Sequence, residues 1–96
     1  YDIDKIISIN DFVAIEEYIE ENEYFELYEN LSKLAFEEHP GTILPSYYKG
    51  RFYEETGNPE KAMHLYRSAY NMNEVEGLTK DYLIELADRI KEDFNF

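Results

Sequence analysis

Two histidines are present, His39 and His64, the side chains most suited to acid–base or metal chemistry near neutral pH. His64 has Glu60 four residues before it and Ser68 four after. A metal site wants more ligands at tight spacing, such as a pair of His on one turn. His39 precedes Pro40 at an expected helix end, where a cation suits the helix dipole. Adjacent carboxylates occur at Glu16 and Glu17 and at Glu54 and Glu55. General acid work needs a carboxylate in an apolar pocket, and a chain this rich in acid makes mere pairing uninformative. Ser46 and Ser68 fall inside helical spacing, not in a nucleophile elbow. No Gly-rich phosphate loop is present, and the absence of cysteine removes thiolate and disulfide chemistry while leaving the compartment open. These residues predict no catalytic group, no cofactor and no metal, and hence a fragment that is not itself an enzyme.

Charge narrows the partners. The 96 residues carry 22 acidic and 9 basic side chains, a net of −13. Such a chain repels phosphate backbones and anionic lipid, so neither nucleic acid nor a membrane surface is an expected partner. A protein or peptide that is basic or apolar fits better. No apolar run approaches the ~20 residues of a spanning helix, and no signal-peptide pattern opens the chain. The first residue is Tyr1 and the first methionine is Met63, so a piece of a larger protein is expected.

The elements follow from Gly and Pro. "HPGTILP" (His39 to Pro45), "TGNP" (Thr56 to Pro59) and "EGLT" (Glu76 to Thr79) must interrupt helix. Asn58 and Thr79 are cap candidates, Pro59 suits the first helical position, and Asp81 suits a first turn. Between the breaks apolar residues recur at helical spacing: Phe12, Ile15 and Ile19; Leu27, Leu31, Leu34 and Ala35; Leu65, Tyr66 and Ala69; Leu83, Leu86, Ile90 and Phe94. The spacing predicts five helices over about 10–20, 23–38, 44–55, 59–72 and 79–93. Asn10 and Asn22 are the expected caps of the first two. Residues 1–9, with "IDKIISI", read as a linker or short N-terminal segment, and 10–96 as one helical domain.

Gly50 stands mid-helix, where it costs ~1 kcal/mol against Ala. Something must approach its backbone to offset that cost. The following antiparallel helix, with Ala62, Tyr66 and Ala69 on one face, is the natural source. Gly57 lies in the turn between them, where a positive φ is expected. Gly50, Tyr53, Gly57, Ala62, Tyr66 and Ala69 together resemble the tetratricopeptide repeat, a helix–turn–helix unit of about 34 residues. Ser46 departs from that pattern, which usually has a large aromatic there; Tyr47 is expected to fill the gap. Shifting back one repeat pairs Ala69 with Ala35 and Tyr53 with Ile19, but Gly50 with Glu16 and Ala62 with Tyr28. The first unit is therefore degenerate. Shifting forward pairs Lys49 with Leu83 and Tyr53 with Ala87. The resemblance implies an all-α stack of about two repeats plus a closing helix, with atypical ends.

It also implies a groove. In this family the first helix of each repeat lines a concave, peptide-binding surface. By register that surface takes Tyr47, Tyr48, Arg51 and Glu55 from the central repeat, Val13, Glu17 and Glu20 from the first, and Asp81, Tyr82 and Glu85 from the last. Members that hold a partner's terminal carboxylate use Lys, Arg and Asn there, and this sequence offers one Arg among acids and tyrosines. The expected function is a protein-interaction or scaffolding module. The stretch from His39 to Tyr70 also looks like the repeat tail that follows the catalytic domain of some bacterial α/β-hydrolase-type esterases. That likeness implies an accessory domain packed on its own upstream domain. A homodimer built on exposed tyrosines is a third reading.

Overall fold

Ser8 starts the first helix. Its hydroxyl accepts the Asp11 N–H at 3.3 Å, and its own N–H donates to the Asp11 carboxylate at 3.2 Å. This reciprocal capping box fixes the entry to α1 (Ile9–Asn22). Asn10 is therefore not the cap; it lies inside the helix. The computed structural model describes residues 8–95. Of the "IDKIISI" stretch, residues 3–7 lie outside the described residues, while Ser8 and Ile9 belong to the start of α1.

Asn22 does not cap the second helix either. It closes α1, where its side-chain amide donates to the Tyr18 carbonyl at 2.9 Å. Glu23 then takes a left-handed φ of 56°. That turn delays α2 (Leu27–Glu38) beyond the expected start at 23. Next come α3 (Leu44–Glu55), with Pro45 in its first turn, and α4 (Pro59–Ser68), with Pro59 opening it. Gly57 links them at φ +93°, a conformation costly for any residue with a Cβ. A 3₁₀ turn (Ala69–Asn71) replaces the last residues expected of α4. The Thr79 hydroxyl accepts the Tyr82 N–H at 3.3 Å and starts α5 (Lys80–Phe94).

The described residues are thus all-α, five helices with no strand, packed as a helical-repeat-like stack. Consecutive helices α2 to α5 pack on one another in order. Alternate helices meet through side chains. Phe12 of α1 stacks on Tyr48 of α3 at 6.0 Å, and Tyr47 of α3 lies 6.4 Å from Tyr82 of α5. The result is two layers, α1–α3–α5 and α2–α4, in a slab of 46 × 30 × 18 Å. The loops hold the register. Ile43 N–H donates to Asn73 C=O at 2.9 Å, and Asn73 N–H to Gly41 C=O at 3.1 Å.

Tyrosines fill much of the core. Tyr28, Tyr48 and Tyr66 are buried with Phe12, Ile19, Leu83 and Ile90. The Tyr66 ring lies against the Cα of Gly50, so the mid-helix glycine admits an aromatic side chain. Ala62 and Ala69 are fully buried on the same face of the α4 segment. Ser46 is covered by Met72, whose sulfur lies 3.6 Å from its hydroxyl, while Tyr47 points instead toward α1. Ile15, Leu27 and Leu34 share the outer side of α1 and α2, where no further described helix covers them. That is why Ile15 is exposed although its spacing matches that of Phe12 and Ile19. Among the described residues no helix is long and apolar enough to cross a membrane.

Candidate functional site

The layer made by α1, α3 and α5 carries a dense polar network. On α3, Tyr47, Tyr48 and Arg51 turn toward α1. On α1, Glu16 and Glu20 turn back toward them, one helical turn apart. The Tyr47 hydroxyl donates to Glu16 Oε2 at 2.7 Å, and the Tyr48 hydroxyl lies 3.5 Å from Oε1. The Tyr28 hydroxyl donates to Glu20 at 2.6 Å, and that of Tyr66 to Glu54 at 2.8 Å. Four buried tyrosine hydroxyls are thus satisfied by glutamates, as buried donors require.

Arg51 holds the centre. Its guanidinium pairs with Glu20 at 3.1 Å, Glu55 at 3.2 Å and Glu54 at 3.3 Å. It also sits 5.7 Å from the Tyr28 ring centroid. Its Nε is buried without a hydrogen-bond partner. Arg89 of α5 approaches Glu54 at 3.7 Å. Arg51 is therefore committed to three carboxylates and is not open to a ligand carboxylate.

Beside this cluster lies a cleft of about 290 Å³. Its apolar lining comes from Ile9, Val13, Leu44, Val75 and Leu78, with Tyr82 beside them. Glu16 and the buried Tyr47 and Tyr48 also line it, as does the exposed Glu76. No Lys or Arg lines it among the described residues. Burial pushes the Glu16 carboxyl above the usual carboxylate range, against the lowering effect of the Tyr47 hydrogen bond and of Arg51. Burial likewise raises the Tyr47 and Tyr48 hydroxyls, with the Glu16 charge adding to it, so both stay protonated donors. Glu55 is raised too, chiefly by burial and against Arg51.

The expected groove residues separate into three groups. Tyr47, Tyr48 and Tyr82 meet in the cleft, although Tyr48 is only 1% exposed and offers no open face. Arg51 and Glu55 join the ion cluster together with Glu20. Glu17, Asp81 and Glu85 are exposed and line no part of the cleft. Val13 is exposed and lines the cleft. Glu16 and Glu54 were not among the expected groove residues. His64 is exposed, 3.9 Å from Glu60. Among the described residues no group of three or more His, Cys, Asp or Glu is set to hold a metal ion.

No family model matches the sequence, and no curated protein matches it. Among solved structures, the fold is similar to that of an uncharacterised protein from Capnocytophaga ochracea. The TM-score is 0.86 at 24% identity, over 92% of this chain and 25% of that one. At that identity the likeness shows the fold alone. This chain spans about a quarter of the length of that protein.

Proposed function

We propose that this chain is a tetratricopeptide-like interaction module whose α1–α3–α5 layer binds a segment of another protein carrying a basic residue beside an apolar one. One observation carries the reading. Among the described residues the cleft has an apolar lining and carboxylates but no cation, while the nearby Arg51 is already held by three glutamates. Charge complementarity then selects basic segments and rejects acidic ones. The net charge of −13 speeds the encounter, and added salt weakens that effect. The repeat-like packing of Gly50 against Tyr66 supports the family resemblance.

The test is titration of a basic and an acidic peptide into wild type and a Tyr82→Ala, Glu76→Lys double variant, both positions lining the cleft. Both residues are exposed, so the fold is spared. The basic peptide binds wild type more tightly and loses affinity for the double variant. Tighter binding of the acidic peptide, or an unchanged double variant, overturns the reading.

A second reading has its own support. Ile15 and Leu27 are 37% and 36% exposed, over an apolar groove floored by Ile19 and Leu31. The similar solved chain is about four times as long as the region that matches. In this reading the stack is an accessory domain that packs by its α1–α2 side on another domain of its own polypeptide, as in the esterase tails. Co-purification of the chain with a separately expressed upstream domain supports it if Ile15→Glu abolishes the association.

A further inference from the structure

We infer that the α1–α3–α5 cleft seats one lysine side chain, its ammonium on Glu16 and its methylenes against Val13, Leu44 and Leu78. The inference rests on the reading of that cleft as the peptide site and names its anchor. Glu16 stands four residues after Phe12 and three before Ile19, both fully buried, so it occupies a core-facing position of α1. A charge held there is costly unless it is paired. Its Oε2 takes a short hydrogen bond from Tyr47. Its Oε1 has only the Tyr48 hydroxyl at 3.5 Å, the outer limit of a hydrogen bond. The nearby guanidinium of Arg51 pairs with Glu20, Glu54 and Glu55 and not with Glu16. Among the described residues, Oε1 of this cleft-lining carboxylate is thus short of a strong donor.

The geometry selects the donor. A guanidinium is strongest when it grips both oxygens of a carboxylate, and Tyr47 already uses one. An ammonium is a point donor and needs only one. The apolar lining can cover a four-carbon stem, as such stems prefer. Tyr82, 42% exposed and 6.4 Å from Tyr47, offers a ring face to the cation. A volume of about 290 Å³ suits one long side chain.

The experiment uses the 96-residue chain and amide-resolved NMR titration with acetyl-Ser-Leu-Lys-Leu-Ser-amide. Parallel peptides carry norleucine, an uncharged equal of the lysine stem, or arginine at the central position. The lysine peptide binds roughly tenfold or more tightly than the norleucine peptide, the scale of one charge-assisted hydrogen bond. Glu16→Gln removes that difference, whereas Glu17→Gln, an equal change of net charge at an exposed neighbour, keeps it. The lysine advantage also fades as pH falls and Glu16 protonates. Around it stand Tyr47, Tyr48 and Arg51 on α3, Glu20 on α1, and Tyr82 and Glu76 in the cleft lining. Of these the carboxylates are Glu20 and Glu76, and neither is hydrogen-bonded to Glu16.

Equal binding of the lysine and norleucine peptides to wild type overturns the lysine seat but leaves the cleft as a peptide site. So does an equal loss in Glu17→Gln. Tighter binding of the arginine peptide overturns the choice of lysine. If no peptide shifts any cleft resonance, the seat and the underlying reading fall together. The comparison of three peptides on wild type decides the matter even if Glu16→Gln fails to fold.

Discussion

The Tyr66 ring fills the space that a side chain at Gly50 would need. A Cβ there would stand 2.7 Å from Tyr66 Cδ1 and 3.0 Å from Cζ. Tyr66 is fully buried and anchored by its hydroxyl to Glu54, so the ring has little room to yield.

Gly50→Leu is therefore expected to destabilise the chain by ~1–3 kcal/mol or more, the usual cost of overpacking. Glu17→Leu, at an exposed position of α1, is expected to stay within ~0.5 kcal/mol, as surface changes do. Urea denaturation of both variants measures the contrast. Pairing Gly50→Ala with Tyr66→Ala adds a sharper reading. The two changes are expected to be non-additive by about 1 kcal/mol or more, because the small ring site absorbs the new methyl. Additive losses would remove the contact from the account.

Arg51 ties α1 to α3 through Glu20 and neutralises Glu54 and Glu55 on its own helix. Arg51→Met leaves those carboxylates facing one another. The expected loss is ~1–3 kcal/mol at pH 7, below the value for a fully buried pair because Glu20 is 41% exposed. The loss shrinks on acidification, as Glu55, whose carboxyl is raised by burial, takes up its proton. A loss that grows on acidification would contradict the ion cluster.

Glu16 gives a pH dependence of opposite sense. Its folded value lies above its unfolded value, mainly through burial. Its protonated form thus favours the fold at low pH, and that contribution is lost as pH rises from the unfolded value through the folded one. Glu16→Gln has no such loss. The melting temperature of Glu16→Gln relative to wild type is expected to rise between pH 4 and pH 7. A flat difference would place Glu16 in solvent.

Much of this fold was legible from punctuation. Pro45, Pro59 and Gly57 fixed the breaks because each constrains φ locally, and Gly50 announced a close approach because a mid-helix glycine needs a reason. The cap of α1 was also readable, since Ser8 and Asp11 have capping-box spacing, but Asn10 stood nearer the apolar stripe. The degenerate first unit was visible in Glu16, which the repeat shift set against Gly50. What could not be read was its consequence. Glu16 and Glu17 are neighbours in sequence but about 100° apart around a helix. Only the position of α3 decides which of them meets Tyr47. The fate of Ile15 was hidden for a similar reason: spacing gives a stripe, while burial depends on whether another helix arrives to cover it.

The central claim is that the α1–α3–α5 cleft is the binding face, and amide NMR mapping with a basic, apolar-bearing peptide tests it most directly. The account predicts that shifts centre on Val13, Glu16, Tyr47, Leu78 and Tyr82 and diminish with salt. Shifts centred instead on Phe36, Lys49 and Leu65, which line an open pocket between α2, α3 and α4, would contradict it.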